Sequence, residues 1–333
     1  MVLDTKIRAN LGVMKILVTG GAGYIGSHVV RALESAGHQA VIVDDLSFGQ
    51  KSRIGGAKLV ELDLASPIAK SILVEVFKAE AIDGVIHLAA RKSVAESVAR
   101  PEYYQEQNVG SVINLLAAMK EASLNKLVFS SSAAVYGSPE AASVDEDYPC
   151  EPINPYGQTK LIGEQLIQEA MEQWGLRAVA LRYFNVAGAG YDDLGDTSIA
   201  NLIPIALNCV KENIPVQVFG TDWPTNDGSC VRDYIHVADL AEAHIAALDY
   251  LANVNRKHFV FNVGTGTGSS VLQVIQTLSE VLKQDVAVEL TGRRAGDPAA
   301  LSAKVLRINQ ELGWKAKYDL KEIIASAYRA SLN

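Results

Sequence analysis

Residues 15–19, KILVT, are apolar or β-branched and run straight into Gly20-Gly21-Ala22-Gly23-Tyr24-Ile25-Gly26. A strand without polar alternation belongs in a parallel sheet covered on both faces. The turn after it needs glycine three times over. One position takes a positive φ, the next lets backbone approach a diphosphate closely, and Gly26 lets the following helix pack on the strand. That helix, expected over 24–36, points unpaired N–H groups at an anion. Strand, loop and helix in the first βαβ unit form a dinucleotide-binding fingerprint, with Gly20, Gly23, Tyr24, Ile25 and Gly26 as candidate contacts. The second strand ends at Asp44-Asp45, eighteen residues past Gly26. A carboxylate there accepts from the adenosine ribose hydroxyls and repels a 2′-phosphate, which selects NAD over NADP. Asp63-Leu64 closes a third strand, where an acidic side chain could meet the adenine amino group.

The rhythm continues with expected strands at 40–43, 58–62, 83–87, 126–129 and 177–182, separated by helical patterns at 67–79, 101–122 and 156–174. Right-handed crossovers make this an α/β fold with a doubly wound, Rossmann-like parallel sheet. Past residue 183 the pattern changes. Segment 185–232 is rich in Gly, Asn, Pro and Asp around one helix at 201–212, and a helix at 237–251 and a strand at 259–263 return to the first rhythm. The remainder mixes helices with a strand near 286–290. The expected division is an NAD-binding domain of 14–184 plus 233–264, and a smaller mixed α/β substrate domain of 185–232 plus 265–333. Residues 1–13 read as an N-terminal extension.

With 333 residues, 49% hydrophobic and 20% charged, the chain can bury a sizeable core. The net charge of −8 argues against nucleic acid or an anionic membrane as partner. Cys150, Cys209 and Cys230 form neither a disulfide framework nor a CxxC metal site, which fits the cytoplasm. Neither a signal peptide nor an apolar run long enough to span a membrane is read. No HExxH and no clustered His/Cys ligands appear, so no metal is expected.

Asn154-Pro155-Tyr156 opens a helix, and Lys160 follows Tyr156 at i+4, on the same face. A phenol is a poor base at neutral pH, and a neighbouring ammonium brings its pKa toward working range. Upstream, Ser130-Ser131-Ser132 ends a strand, where a hydroxyl points into the crevice that binds ligands in such sheets.

GGAGYIG, HLAA (87–90), FSSSAAVYG (129–137), Tyr156 with Lys160, and LRYFNVAGA (181–189) resemble the extended short-chain dehydrogenase/reductase family. NLIP (201–204), VFGTDWPTNDG (218–228), VRDYIHVADL (231–240) and RRAGD (293–297) are similar to its UDP-glucose 4-epimerase branch. The resemblance covers nearly everything from Met14 onward. It implies an NAD-dependent inversion of C4 of a UDP-hexose through a transient 4-keto sugar. Tyr156 would take the 4-hydroxyl proton, Lys160 would lower its pKa and hold the nicotinamide ribose, and Ser132 would bond the same hydroxyl. Leu88, Ala89, Lys92, Asn108, Ser130 and Tyr183 would line NAD. Asn185, Asn201, Leu202, Gln217, Phe219, Arg232, Arg294 and Asp297 would hold the uridine diphosphate, and Leu301 would set the width of the sugar pocket. A homodimer through the helices at 101–122 and 156–174 is implied too. Asp45 stands where many relatives have Asn.

The residues alone leave Arg232 as a surface ion pair with Asp233, and Phe219 as a core aromatic. Ala133-Ala134 argue against a 4,6-dehydratase, which would carry an acid beside Ser132. A UDP-pentose or UDP-uronate 4-epimerase, or a decarboxylase, differs in few contacts and stays open. A silent NAD-binding regulator would have lost Tyr156 or Lys160, and a plain dehydrogenase would release its reduced cofactor.

Overall fold

The structure is a computed structural model that describes residues 12–252, 256–294 and 296–333. Residues 1–11 of the expected extension, and Ala295 of the RRAGD motif, lie outside the described residues.

The first half alternates as the apolar runs require. β1 (Lys15–Thr19) leads through the glycine turn into α1 (Tyr24–Ser35), and β2 (Gln39–Asp44) returns parallel to β1. β3 (Lys58–Glu61), α2 (Ala69–Ala79) and β4 (Gly84–His87) follow, with β4 on the other side of β1. Then come α3 (Val94–Ala99), α4 (Pro101–Tyr104), α5 (Gly110–Glu121) and β5 (Lys126–Ser132). After the short β6 (Ser143–Val144), α6 (Pro155–Trp174) leads into β7 (Arg177–Tyr183).

The second half runs β8 (Asn185–Ala187), α7 (Leu202–Glu212), β9 (Val216–Phe219), β10 (Val231–His236), α8 (Val237–Ala252) and β11 (Val260–Val263). It ends with β12 (Gly268–Ser270), α9 (Val271–Leu282), β13 (Val288–Thr291), β14 (Ala300–Ala303), α10 (Leu306–Glu311) and α11 (Leu320–Ala330).

The main sheet has seven strands in the order β11-β7-β5-β4-β1-β2-β3, every neighbouring pair parallel. The order in which strands are added reverses between β1 and β4, the switch point where such sheets leave a crevice at their carboxyl ends. Strand alternation divides the core into two layers. Ile16, Val18, Ile42, Ile86 and Leu181 pack with Val29 and Leu33 of α1 and with Leu240 and Leu248 of α8. Leu17, Val41, Val85, Leu127 and Phe129 pack on the opposite side with Leu73 of α2, Leu115 of α5 and Ile167 of α6.

A second sheet runs β12-β10-β14-β6, with β8 also paired to β10, and β9 and β13 form a separate parallel pair. Ile203, Val216, Val218, Tyr234, Val274, Leu278 and Ile324 make its core with α7, α9 and α11. This sheet draws β6 from within 14–184, and β10 reaches into the 233–264 segment. The chain therefore passes between the two layers more often than the expected boundaries have it. No helix among the described residues is long and apolar enough to cross a membrane.

Two elements differ from expectation for physical reasons. β5 continues three residues past Phe129, because Ser130, Ser131 and Ser132 pair with Leu181, Arg182 and Tyr183 of β7. Sheet pairing there outweighs the weak strand preference of serine. The helical stretch at 101–122 is interrupted by a π turn at Gln105–Val109. Inside that turn the Asn108 amide bonds both backbone groups of Arg91 and the Thr159 hydroxyl, at 2.7–3.0 Å.

Candidate active site

The glycine turn is shaped by close approach. Gly20 has φ +70°, and a Cβ on it would lie 2.8 Å from the Ala89 nitrogen, where the ends of β1 and β4 converge. A Cβ on Gly26 would lie 2.0 Å from the Gly20 carbonyl oxygen. Thr19 ties the two strand ends further, its hydroxyl accepting from the Leu88 and Ala89 amides at 3.2 and 3.3 Å. α1 starts at Gly23 with no side-chain cap and no acid in its first turn, so its positive end faces the crevice uncompensated. Ile25 packs on the core beneath, and the Tyr24 hydroxyl donates to the Gly188 carbonyl at 2.6 Å.

The two aspartates do separate jobs. Asp44 is buried and accepts from the Ala22 and Leu46 amides at 3.0 and 2.9 Å, which braces the turn. Burial raises its pKa against those two bonds. Asp45 pairs with Arg91 at 2.7 Å and accepts from the Ser47 amide at 2.9 Å. Burial works to raise Asp45 too, but Ser47 and Arg91 outweigh it and hold the carboxyl below its ordinary range. Asp63 accepts from the Ala65 amide at 2.9 Å, and the neighbouring Leu64 is buried in the core. Lys92 donates across the crevice to the Ser198 hydroxyl at 3.3 Å.

Tyr156 and Lys160 stand on successive turns at the start of α6. Asn154 caps that helix by accepting from the Gly157 amide at 2.9 Å, and Pro155 occupies its first position. The three strand-end serines diverge. The Ser130 hydroxyl bonds the Tyr183 hydroxyl, Ser131 turns inward to Glu164, and the Ser132 hydroxyl reaches Tyr156. Lys160 is 4% exposed and donates to the Ser130 carbonyl at 2.7 Å. Burial pushes the Lys160 ammonium down to about 7, opposed by the Glu164 charge. Tyr156 is raised by burial and lowered by Ser132. The Lys160 nitrogen lies 6.0 Å from the centre of the Tyr156 ring.

A cavity of about 610 Å³ opens in the second layer, among β8, α7, β9, β10 and β13. Asn185, Asn201, Leu202, Gln217, Phe219, Arg232, Arg294 and Asp297 all line it. Asn185 opens β8, two residues past Tyr183, so the cavity adjoins the catalytic strand ends. The Arg294 guanidinium covers the Phe219 ring at 5.1 Å, which makes Phe219 a wall of the cavity rather than a core aromatic. Arg232 does not pair with Asp233. It reaches Asp297 at 3.4 Å and the Pro298 carbonyl at 2.8 Å, while Asp233 is buried under the Thr265 and Gly266 amides. Asp297 also takes the Arg294 fork at 3.0 and 3.1 Å. Leu301, 8% exposed, packs with Ala133, Val135, Tyr136 and Phe184, and in the β10–β14 register it stands opposite Arg232 of the cavity wall.

Residues 16–264 match the model of the NAD dependent epimerase/dehydratase family. The chain belongs to that family. It is 46% identical to UDP-glucose 4-epimerase of Azospirillum brasilense over 323 residues, covering 94% of this chain and 90% of the relative. Among solved structures it resembles UDP-glucose-4-epimerase from Stenotrophomonas maltophila with bound NAD and formylated UDP-arabinopyranose. That likeness has a TM-score of 0.91 and 39% identity over 96% of this chain and 98% of the other. It also resembles UDP-glucose 4-epimerase from Bifidobacterium longum in complex with NAD+ and UDP, with a TM-score of 0.87 and 37% identity over 96% and 98% of the chains.

The residues present suit the cofactor of an NAD dependent epimerase/dehydratase. A turn that no Cβ can enter, followed by an uncapped helix start, is a donor set for a diphosphate. Several contributors escape sequence reasoning. Arg91 reaches Asp45 from a distant strand end, Thr19 joins β1 to β4, and Glu289 receives the Gln217 amide at 3.2 Å. Glu164 carried a signal, since it follows Lys160 at i+4.

Proposed function

We propose that the protein inverts C4 of a UDP-hexose, interconverting UDP-glucose and UDP-galactose through a transient 4-keto sugar. The observation that carries this reading is the half-buried pair of Tyr156 and Ser132 beside buried Lys160, at the carboxyl ends of β5 and β7 next to a nucleotide-sized cavity. NAD, when bound, supplies the hydride acceptor and donor that keep the cycle redox-neutral. Tyr156 takes the proton of the sugar 4-hydroxyl and returns it, and Ser132 bonds the same oxygen. Lys160, with Asn108, Tyr183 and Lys92, orients the nicotinamide half. Gly20, Gly23, Tyr24, Ile25, Gly26, Asp44 and Asp45 hold the diphosphate and adenosine.

Arg232 and Arg294 bind phosphate oxygens, which guanidinium forks match in shape and charge. Phe219, Asn185, Asn201, Leu202, Gln217 and Asp297 hold the remainder of the nucleotide. Concentrating the binding on the nucleotide leaves the keto sugar free to present its other face. Leu301 sets the width of the sugar pocket. The free state of Cys150, Cys209 and Cys230 supports a reducing compartment, the cytoplasm. Pairing of two copies through α5 and α6 gives the homodimer.

A panel of UDP-sugars with product analysis tests the assignment. Interconversion of UDP-glucose and UDP-galactose without added metal and without accumulation of NADH is expected. Turnover of UDP-xylose or UDP-glucuronate, with the hexoses untouched, would reassign the protein to a pentose or uronate 4-epimerase.

A further inference from the structure

Beneath the catalytic turn of α6 lies an ion pair that the proposed reaction does not use. The Arg182 fork grips Glu164 at 2.6 and 2.8 Å, and the Ser131 hydroxyl donates to the same carboxylate. Arg182 and Glu164 are 5% and 4% exposed. The network continues from Arg182 to the Tyr136 hydroxyl at 3.1 Å, and from there to Asn262 at 2.7 Å. A buried ion pair adds little net stability, because desolvating two charges offsets their attraction. Its position is therefore better explained by what it faces. Glu164 follows Lys160 by one helical turn, on the same side of α6. Both of its oxygens are taken by Arg182 and Ser131, so it acts on Lys160 through the field and through the helix.

We infer that Glu164 is the positioning residue of the catalytic helix: clamped to β5 by Ser131 and to β7 by Arg182, it fixes the turn that carries Lys160 and supplies the counter-charge for its ammonium. Burying an ammonium is costly without an anion nearby. The other titratable groups around Lys160 do not provide one. His87 of β4 is neutral, pushed down to about 3 by burial and by Lys160 itself. Tyr183 and Tyr136 are raised by burial and stay protonated, and Tyr156, the group that handles the proton, is raised by burial against its bond from Ser132. Arg182 is a cation, and Glu96 of α3 is engaged by Tyr104 at 3.0 Å and Arg100 at 3.0 Å. Among the described residues Glu164 is the one charge that opposes the effect of burial on Lys160. Tyr156, Lys160 and Glu164 thus form three successive turns: the group that handles the proton, the cation beside it, and the anion that keeps that cation.

The test compares wild type, Glu164→Asp and Glu164→Gln as NAD-loaded full-length protein. The titration of the Lys160 ammonium is followed by ¹⁵N shift in lysine-labelled protein, alongside pH profiles of kcat and KM for UDP-galactose. The Lys160 transition falls in the order wild type, Asp, Gln, by about one pH unit or more for Gln. At neutral pH kcat falls roughly tenfold or more in Gln while KM stays within about twofold, and Asp recovers part of the loss. If Gln does not fold, Asp decides, since its Lys160 transition must lie below that of wild type. A Lys160 transition that is the same in every folded variant overturns the inference, as does a Gln variant with wild-type kcat. The catalytic meaning rests on the epimerase reading. Wild-type protein that turns over no UDP-hexose, yet whose Lys160 follows Glu164, would fail that reading and leave the positioning role standing.

Discussion

Tyr156 is half-buried, and the Ser132 hydroxyl reaches it. Replacing it with Phe removes the hydroxyl and little else, so NAD content and UDP binding persist while kcat falls by about 10² or more. Steady-state kinetics with product analysis checks this, and near-normal turnover would remove Tyr156 from the chemistry. Gly26 gives the complementary prediction. The Cβ of Gly26→Ala would stand 2.0 Å from the Gly20 carbonyl, so the turn must open. The purified variant should carry far less NAD than wild type, read by release and chromatography of the nucleotide. Both residues were legible in the sequence because their reasons are local: a turn that needs glycine, and a phenol one helical turn from a lysine. The partners of Asp45 and Arg232 were not. Arg91 and Asp297 reach them across 46 and 65 positions, a proximity that only the folded sheets create.

At the level of elements, α6 carries Tyr156 and Lys160, the residues proposed for the reaction, and is well anchored where it begins. Its cap is the Asn154 side chain on the Gly157 amide. Asn154→Ala should cost about 1 kcal/mol of stability, seen as a lower Tm, and should lower kcat more than it raises KM, because Tyr156 sits in the first turn. An unchanged Tm would show the cap to be dispensable. The helix itself was readable from its period and its Asn-Pro start. The end of β5 was not, since three serines look like the close of a strand until β7 pairs with them. The π turn around Asn108 was hidden for a similar reason. Its sequence is ordinary helix, and the Asn108 bonds to Arg91 and Thr159 are tertiary. The short β6, β8, β12 and β14 have too few residues to show a pattern and exist through their pairing.

For the whole molecule, the main sheet followed from the alternation of apolar runs, whereas the layout of the second sheet depends on chain crossings with no local signature. Two predictions belong here. Ile113 of α5 is 51% exposed on a helix proposed to pair two copies. Ile113→Arg should turn a dimer into a monomer in sedimentation, and an unchanged assembly would place the interface elsewhere. His236 packs on Tyr318 at 4.2 Å between ring centres and is pushed down to about 4, by burial first and then by the charges of His28 and Arg329. Its folded pKa lies below its unfolded value near 6.5, so the unfolded chain binds the proton first. The stability owed to neutral His236 is present above pH 6.5 and drains away as pH falls toward 4, by at most about 1.4 kcal/mol per unit. The Tm deficit of His236→Gln relative to wild type should therefore shrink between pH 7 and pH 4.5, and a constant deficit would contradict the neutral assignment.

Tyr183 closes β7 and Asn185 opens β8, with buried Phe184 between them. One unbroken stretch of main chain thus works as a ruler between the place proposed for proton transfer and the place proposed to grip a nucleotide. Because consecutive Cα atoms sit about 3.8 Å apart, the two stations keep a nearly constant separation however the surrounding loops breathe. An inserted residue at this joint would leave both sheets whole and the anchor intact, yet would carry a tethered sugar past its reacting partner.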